Sequence, residues 1–302
     1  MWVTNRSIDV LSRLLRRLLL GQVLVGALLG WLIVRQTATS AWLVVVTTLG
    51  SPLLTLWLVS LATAVKSRAP DASALWWRSL FTEFVASSRV FLLQQPWAYA
   101  PPAIEQASAS PARIPVVLVH GYLCNHRVWN VMSRRLRDAG HPVLAVDLEP
   151  LFISIDLYAP LIEQAVLALC RQTGAEKVAL IGHSMGGLAI RAWMRSHGAS
   201  RVARVITLGT PHAGTQIDPR PRSTNGRQML LRSAWLQELS TSETASTREL
   251  FRIALTPHDN IVYPQREQVL KGVPVTEFEG LGHVELCLHG GVVAWVLQQL
   301  PP

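Results

Sequence analysis

At 302 residues the chain is long enough for one or two domains, and 50% hydrophobic residues with a mean hydropathy of +0.28 point to membrane contact. The formal net charge of +9 invites a nucleic-acid partner, but residues 1–100 carry nine Lys/Arg and three Asp/Glu, so +6 of it belongs to the apolar N-terminus. No dense basic cluster interleaved with aromatics remains, which argues against nucleic acid as a partner. Cys124, Cys170 and Cys287 are too scattered for a paired framework or a C-x-x-C metal site, and such a sparse, odd set suits a reducing compartment.

The first hundred residues carry two uncharged segments, Leu18 to Val34 (17 residues) and Ala41 to Val65 (25 residues). Each is near the length a helix needs to cross a hydrocarbon core of roughly 30 Å. Trp31 and Trp42 flank the short connector Arg35 to Ser40, as indoles do at one membrane surface. Arg6, Arg13, Arg16, Arg17, Lys66, Arg68 and Arg78 lie beyond the other ends, seven positive residues against one in the connector. The positive-inside rule then predicts a hairpin with both ends in the cytoplasm of a bacterial-type inner membrane, and a multi-pass protein. The rival reading is a secretory leader cleaved near Ala38-Thr39-Ser40, which still leaves the second segment to return the chain.

Residues 1–70 are thus read as a transmembrane hairpin and 71–114 as an amphipathic and linker segment. From Leu75 to Leu93, Trp76, Trp77, Leu80, Phe81, Phe84 and Val85 alternate imperfectly with Arg78, Glu83 and Arg89. That pattern suits a helix lying on a membrane surface or packed on the following domain, and the sequence does not choose between them. Gln94 to Pro115, with Pro96, Pro101, Pro102, Pro111 and Pro115, reads as a linker.

Residues 115–302 alternate strand and helix patterns: Pro115–Val119, then a helix Val128–Ala139, a strand Val143–Asp147, and a helix Tyr158–Gln172 stopped by Gly174. The strand Lys177–Ile181 precedes Gly182-His183-Ser184-Met185-Gly186 and a helix to His197, the strand–turn–helix context of a nucleophile elbow. Strands Val202–Leu208, Leu250–Leu255 and Val273–Phe278 and a closing helix Val292–Leu300 complete the series. The alternation predicts an α/β fold with a mostly parallel sheet covered on both faces. Residues 213–248 break the rhythm and read as an insertion over the site, partly helical and apolar on one side, either an acyl-chain lid or a surface excursion.

A serine hydroxyl needs a base within reach and a third group to orient that base. Ser184, Asp259 and His283 each follow a strand, in the order Ser, Asp, His. His183, His258, His120 and His212 read as supporting groups, and Asp147, Glu279 and Glu285 as structural or solvated carboxylates. No H-E-x-x-H occurs, so neither a metal nor a cofactor is expected.

Val119-His120-Gly121-Tyr122, Gly182-His183-Ser184-Met185-Gly186-Gly187, Thr207-Leu208-Gly209-Thr210-Pro211-His212, His258-Asp259-Asn260-Ile261-Val262 and Gly282-His283 together resemble the bacterial lipases of the α/β-hydrolase superfamily. The resemblance covers residues 115–300 and implies the α/β-hydrolase fold. It implies Ser184 as nucleophile, His283 as proton shuttle and Asp259 as its orienting acid, with backbone N–H groups of Tyr122 and Met185 as oxyanion donors. No acidic cluster matches the structural calcium site of some such lipases. The expected substrate is an acyl ester, with the lipid bilayer as partner and the catalytic domain cytoplasmic. An acyltransferase or thioesterase would use the same triad. A non-catalytic membrane-bound module is the remaining alternative.

Overall fold

A computed structural model describes residues 10–37, 39–68, 74–107 and 113–301. Arg6 of the charge asymmetry, Ala38 of the alternative cleavage site, the 70/71 boundary and Pro111 of the linker lie outside the described residues. Two long helices come first, α1 (Val10–Thr37) and α2 (Trp42–Ser67), both long and apolar enough to cross a membrane. α1 runs past its uncharged segment at both ends and α2 past its own at the C-terminal end, because Arg13, Arg16, Arg17 and Lys66 favour helix as well as the leucines do. Their surfaces meet through small residues. A Cβ at Gly26 would run into the Thr47 carbonyl and lie 2.6 Å from Ser51 Oγ, and one at Gly30 would lie 2.8 Å from Val44 Cα. This G-x-x-x-G spacing lets the two backbones close together.

Helix α3 (Leu75–Ser88) follows, runs on as a wider π-helical turn, Arg89–Gln94, and ends in a 3-10 turn, Gln95–Trp97. It packs on the following domain and also bares an apolar face. Trp76, Ser79, Leu80, Glu83, Ala86 and Ser87 are buried, whereas Trp77, Phe81 and Val85, spaced four apart, are exposed. Glu83, read from sequence as part of a polar face, is inside.

The remaining chain forms one sheet of six parallel strands in the order β2-β1-β3-β4-β5-β6. Strands β1 (Val116–Val119) and β2 (Val143–Val146) enclose α4 (Asn130–Asp138) in sequence, and α5 (Ala159–Thr173) leads to β3 (Val178–His183). Then come α6 (Met185–His197) and β4 (Val202–Leu208). After three short helices, α7 (Thr224–Gln228), α8 (Ala234–Thr241) and α9 (Ala245–Glu249), the sheet resumes with β5 (Phe251–Leu255) and β6 (Val275–Glu277), and α10 (Gly290–Gln299) closes the fold. β1 and β3 are buried on both faces, which explains their unbroken apolar runs. One core, with Trp193, Leu169 and Phe251, lies on the α5–α6 side. The other, with Trp129, Met132 and Val296, lies on the α4–α10 side and takes in Ala86 and Val90 from the α3 segment.

The excursion at 213–248 is tied to the helix behind the elbow by charge. Arg191 of α6, fully buried, pairs with Glu243, which also receives Arg248 Nε at 3.1 Å. Breaking such a pair strands a charge without water and costs about 3–5 kcal/mol. Glu243→Ala is therefore expected to lower unfolding stability in denaturant titrations by roughly that amount. Glu267→Ala, which removes the exposed partner of Arg232, should cost under about 1 kcal/mol.

Candidate active site

The Gly182–Gly186 turn bends the chain sharply from β3 into α6, and Ser184 takes φ 54° and ψ −129° there. A non-glycine residue at positive φ is strained and persists only where its surroundings hold it. Here they do: Ser184 N–H bonds to the Leu208 carbonyl at 2.9 Å and Gly187 N–H to the Ser184 carbonyl at 3.1 Å. A side chain at Gly186 would strike the Val119 and His120 carbonyls, and one at Gly121 would lie 2.6 Å from Ser184 Cβ. The glycines therefore let the turn after β1 press against the serine.

Asp259 and His283 come from the turns after β5 and β6 and meet with Asp259 Oδ2 2.8 Å from His283 Nδ1. Both are almost wholly buried. The other carboxylate oxygen of Asp259 accepts the N–H groups of Ile261 (2.9 Å) and Val262 (2.7 Å), which fixes its plane. With Nδ1 holding its proton toward Asp259, Nε2 is left as the proton acceptor. Burial alone would push the His283 pKa down. The charge of Asp259, its hydrogen bond and the charge of Glu83 outweigh that and leave it raised.

The neighbouring histidines fall into supporting places. His183 stacks on His283 with ring centroids 4.5 Å apart, and its Nε2 lies 3.1 Å from the His283 carbonyl oxygen. Burial, then the charge of His283, keeps its pKa far below the usual value, so the neutral ring donates to that carbonyl. His258 Nδ1 accepts the Gly280 N–H, and His120 Nε2 accepts the Leu148 N–H. His212 Nε2 is 3.0 Å from Thr207 Oγ1. Asp147 faces His126 at 2.8 Å, away from the Asp259–His283 pair, while Glu279 is exposed and Glu285 accepts from Thr82 Oγ1 at 2.6 Å.

Ser184 and Tyr122 line a cavity of about 760 Å³ with Phe152, Ile217, Met229 and Val262. Met185 opens α6, so its N–H belongs to the first helical turn, which has no acceptor within the helix. Residues 215–229 supply much of the cavity wall, and Arg220 and Arg222 stand on its rim.

The N-terminal segment also reaches this site, which sequence reasoning did not anticipate. Glu83 lies beneath the His283 turn, and burial pushes its pKa up to about 7 against the lowering effect of the His283 charge and of the Val284 and Glu285 N–H bonds. Asn260, beside Asp259, donates to Thr63 Oγ1 of α2 at 2.9 Å, and Gln265 donates to the Ser67 carbonyl at 2.9 Å. The signal in the sequence was Glu83 itself, the one acid in the α3 helix.

A family model described as the alpha/beta hydrolase fold matches residues 114–240. Over 130 residues the chain is 36% identical to a triacylglycerol lipase of Burkholderia plantarii, covering 40% of this chain and 36% of the lipase. Over 115 residues it is 39% identical to a triacylglycerol lipase of Pseudarthrobacter phenanthrenivorans, covering 35% of each. The chain thus spans about a third of the length of these two relatives. In three dimensions it is similar to the mature form of a Bacillus licheniformis lipase, with a TM-score of 0.57 at 17% identity, covering 66% of this chain and 98% of that one.

The His283 pKa gives a direct check on the pair. In Asp259→Asn the largest raising influence is lost while burial still opposes the charge, so the imidazole should titrate at lower pH than in the unaltered protein. Imidazole nitrogen shifts followed by NMR across pH 4–9 measure this, and an unmoved midpoint would show that Asp259 does not set the charge of His283.

Proposed function

We propose that the chain, which matches the alpha/beta hydrolase fold family over residues 114–240 and triacylglycerol lipases over about a third of their length, is a membrane-anchored serine ester hydrolase cleaving lipidic acyl esters through an acyl-enzyme on Ser184. The observation that carries this reading is the buried 2.8 Å Asp259–His283 pair, whose imidazole lies with its ring centroid 4.5 Å from that of His183, the residue preceding a serine held at positive φ. Ser184 Oγ attacks the acyl carbonyl carbon as its proton passes to His283 Nε2. The N–H groups of Tyr122 and Met185 hold the oxyanion, a contribution worth roughly 3 kcal/mol per donor. Collapse expels the alcohol, which takes the proton from His283. Water then attacks the acyl-enzyme by the same proton route in reverse and frees the acid.

The apolar cavity suits an acyl chain. Its placement suits a substrate that resides in a bilayer. Lys66, at the end of α2, donates to the carbonyl of Ile217 in the cavity wall, so the mouth lies at the end of an apolar helix. In this reading α1 and α2 span the membrane as a hairpin, and Trp77, Phe81 and Val85 rest in its interface. Both outer ends of the hairpin dock on the hydrolase domain, Ser12 by accepting from Asn125 Nδ2 at 3.2 Å and Ser67 through Gln265, which favours placing both ends on one side of the membrane.

Ser184→Ala should lose fluorophosphonate labelling and ester hydrolysis while staying in the membrane fraction, and labelling retained in this variant would move the nucleophile elsewhere. His283→Ala is expected to lose turnover by several orders of magnitude, whereas His258→Ala keeps it within about ten-fold; initial rates on a short-chain ester compare the two. For the topology, a reporter fluorescent only in the cytoplasm, fused after Ala109, should be bright. A bright periplasm-only reporter there would place the catalytic domain outside.

A further inference from the structure

Glu83 lies upstream of residue 114, where the match to the alpha/beta hydrolase family model begins, yet its carboxylate sits within the His283 turn. Oε2 accepts the N–H groups of Val284 (2.9 Å) and Glu285 (3.1 Å), and Oε1 accepts Val284 N–H at 3.1 Å and Ser87 Oγ–H at 3.4 Å. Val284 opens the 3-10 turn Val284–Cys287, for which His283 is the capping residue, so the carboxylate takes the two donors next to the imidazole's own backbone. Gly282 makes the approach possible, since a Cβ there would collide with the Glu83 side chain. Next to it, Thr82 Oγ1 donates to Glu285, whose carboxylate also accepts Gly282 N–H at 3.2 Å. The turn is gripped from one side by α3.

A serine or asparagine could satisfy these donors without burying a charge. A carboxylate is held here although burial works against its ionisation, and its charge is felt by both His283 and Asp259. His258 and Asp259 face it from the turn after β5, Glu285 and Cys287 from the 3-10 turn and Cys124 from the turn after β1; Arg78 of α3 lies beside Gly280, and His183 faces His283 from the elbow. Among these, the imidazole of His283 is the group that must gain a positive charge as Ser184 gives up its proton.

We propose that Glu83 is a positioning residue for the catalytic base: it fixes the His283 turn through two backbone N–H groups and supplies a second carboxylate, beside Asp259, to the imidazolium. The role rests on the serine-hydrolase reading above. It also makes the base depend on the helix that follows the second apolar segment. The membrane-proximal chain then completes the active site rather than merely tethering it.

Glu83→Gln keeps one oxygen able to accept both N–H groups and removes the charge, while Glu83→Ala removes both. Full-length proteins in phosphatidylethanolamine–phosphatidylglycerol vesicles would be compared by kcat/KM for p-nitrophenyl butyrate from pH 5 to 9 and by fluorophosphonate labelling rate. Loss of the charge leaves His283 with a lower pKa and weaker basicity. The Gln variant should therefore show an acid limb displaced to lower pH by about half a unit to one unit, with a plateau several-fold lower. Its melting temperature at pH 8 should hold or rise, because a buried charge is gone. The Ala variant should lose at least about ten-fold in kcat with a smaller change in KM. A Gln profile that overlays the unaltered protein in limb and plateau, or an Ala variant labelled at the unaltered rate, overturns the role of Glu83 and leaves the hydrolase reading intact. An unaltered protein without Ser184-dependent labelling overturns the hydrolase reading and the role of Glu83 together.

Discussion

A histidine taken out of water resists becoming charged, and the site around His283 is organised by that constraint. The imidazole is almost wholly buried, so any proton it accepts needs negative charge placed in advance. Asp259 supplies it at 2.8 Å, and two backbone N–H groups hold that carboxylate in place. The same need accounts for the glycine at 209, where a Cβ would crowd both partners at 3.2 Å. It accounts as well for the neutral His183 stacked behind the ring, since a charged neighbour there would oppose the imidazolium.

The N-terminal helices and the sheet are joined by polar contacts at their ends rather than by a broad apolar surface. Asn125 reaches Ser12, Thr63 reaches Asn260, Ser67 reaches Gln265 and Lys66 reaches Ile217. The sides of α1 and α2 stay apolar and exposed, while their small residues face one another. Such a division is what a chain would use if its helix flanks face lipid and its helix ends face protein: hydrogen bonds at the ends give orientation, and the apolar flanks remain available to acyl chains.

Strands β1 and β3 were legible because they are buried on both faces and read as apolar runs ended by glycine turns, while β4 and β5 stay mostly apolar around Arg204 and Arg252. Ser184 was legible because an elbow has a local chemical requirement, glycines two residues to either side. The excursion at 213–248, expected to be partly helical, holds three short helices whose number and bounds no periodicity fixed, since helices of five to eight residues make only one to about two turns. Helix α3 was ambiguous for a different reason. Its exposed aromatics and its buried glutamate invert the usual pattern, and only the partner surfaces explain the inversion.

The sequence by itself determined the alternation of strand and helix, the two apolar helices and the elbow around Ser184, because each depends on residues close together in the chain. The order Ser, Asp, His and the family resemblance pointed to Asp259 and His283 as partners, but only tertiary structure set them 2.8 Å apart, turned His258 to Gly280 and laid Glu83 beneath the His283 turn 200 positions along the chain. Those contacts join segments far apart in sequence, and their chemistry arises from burial. Until the fold removes water from it, a carboxylate such as Glu83 reads like any solvated charge on a helix.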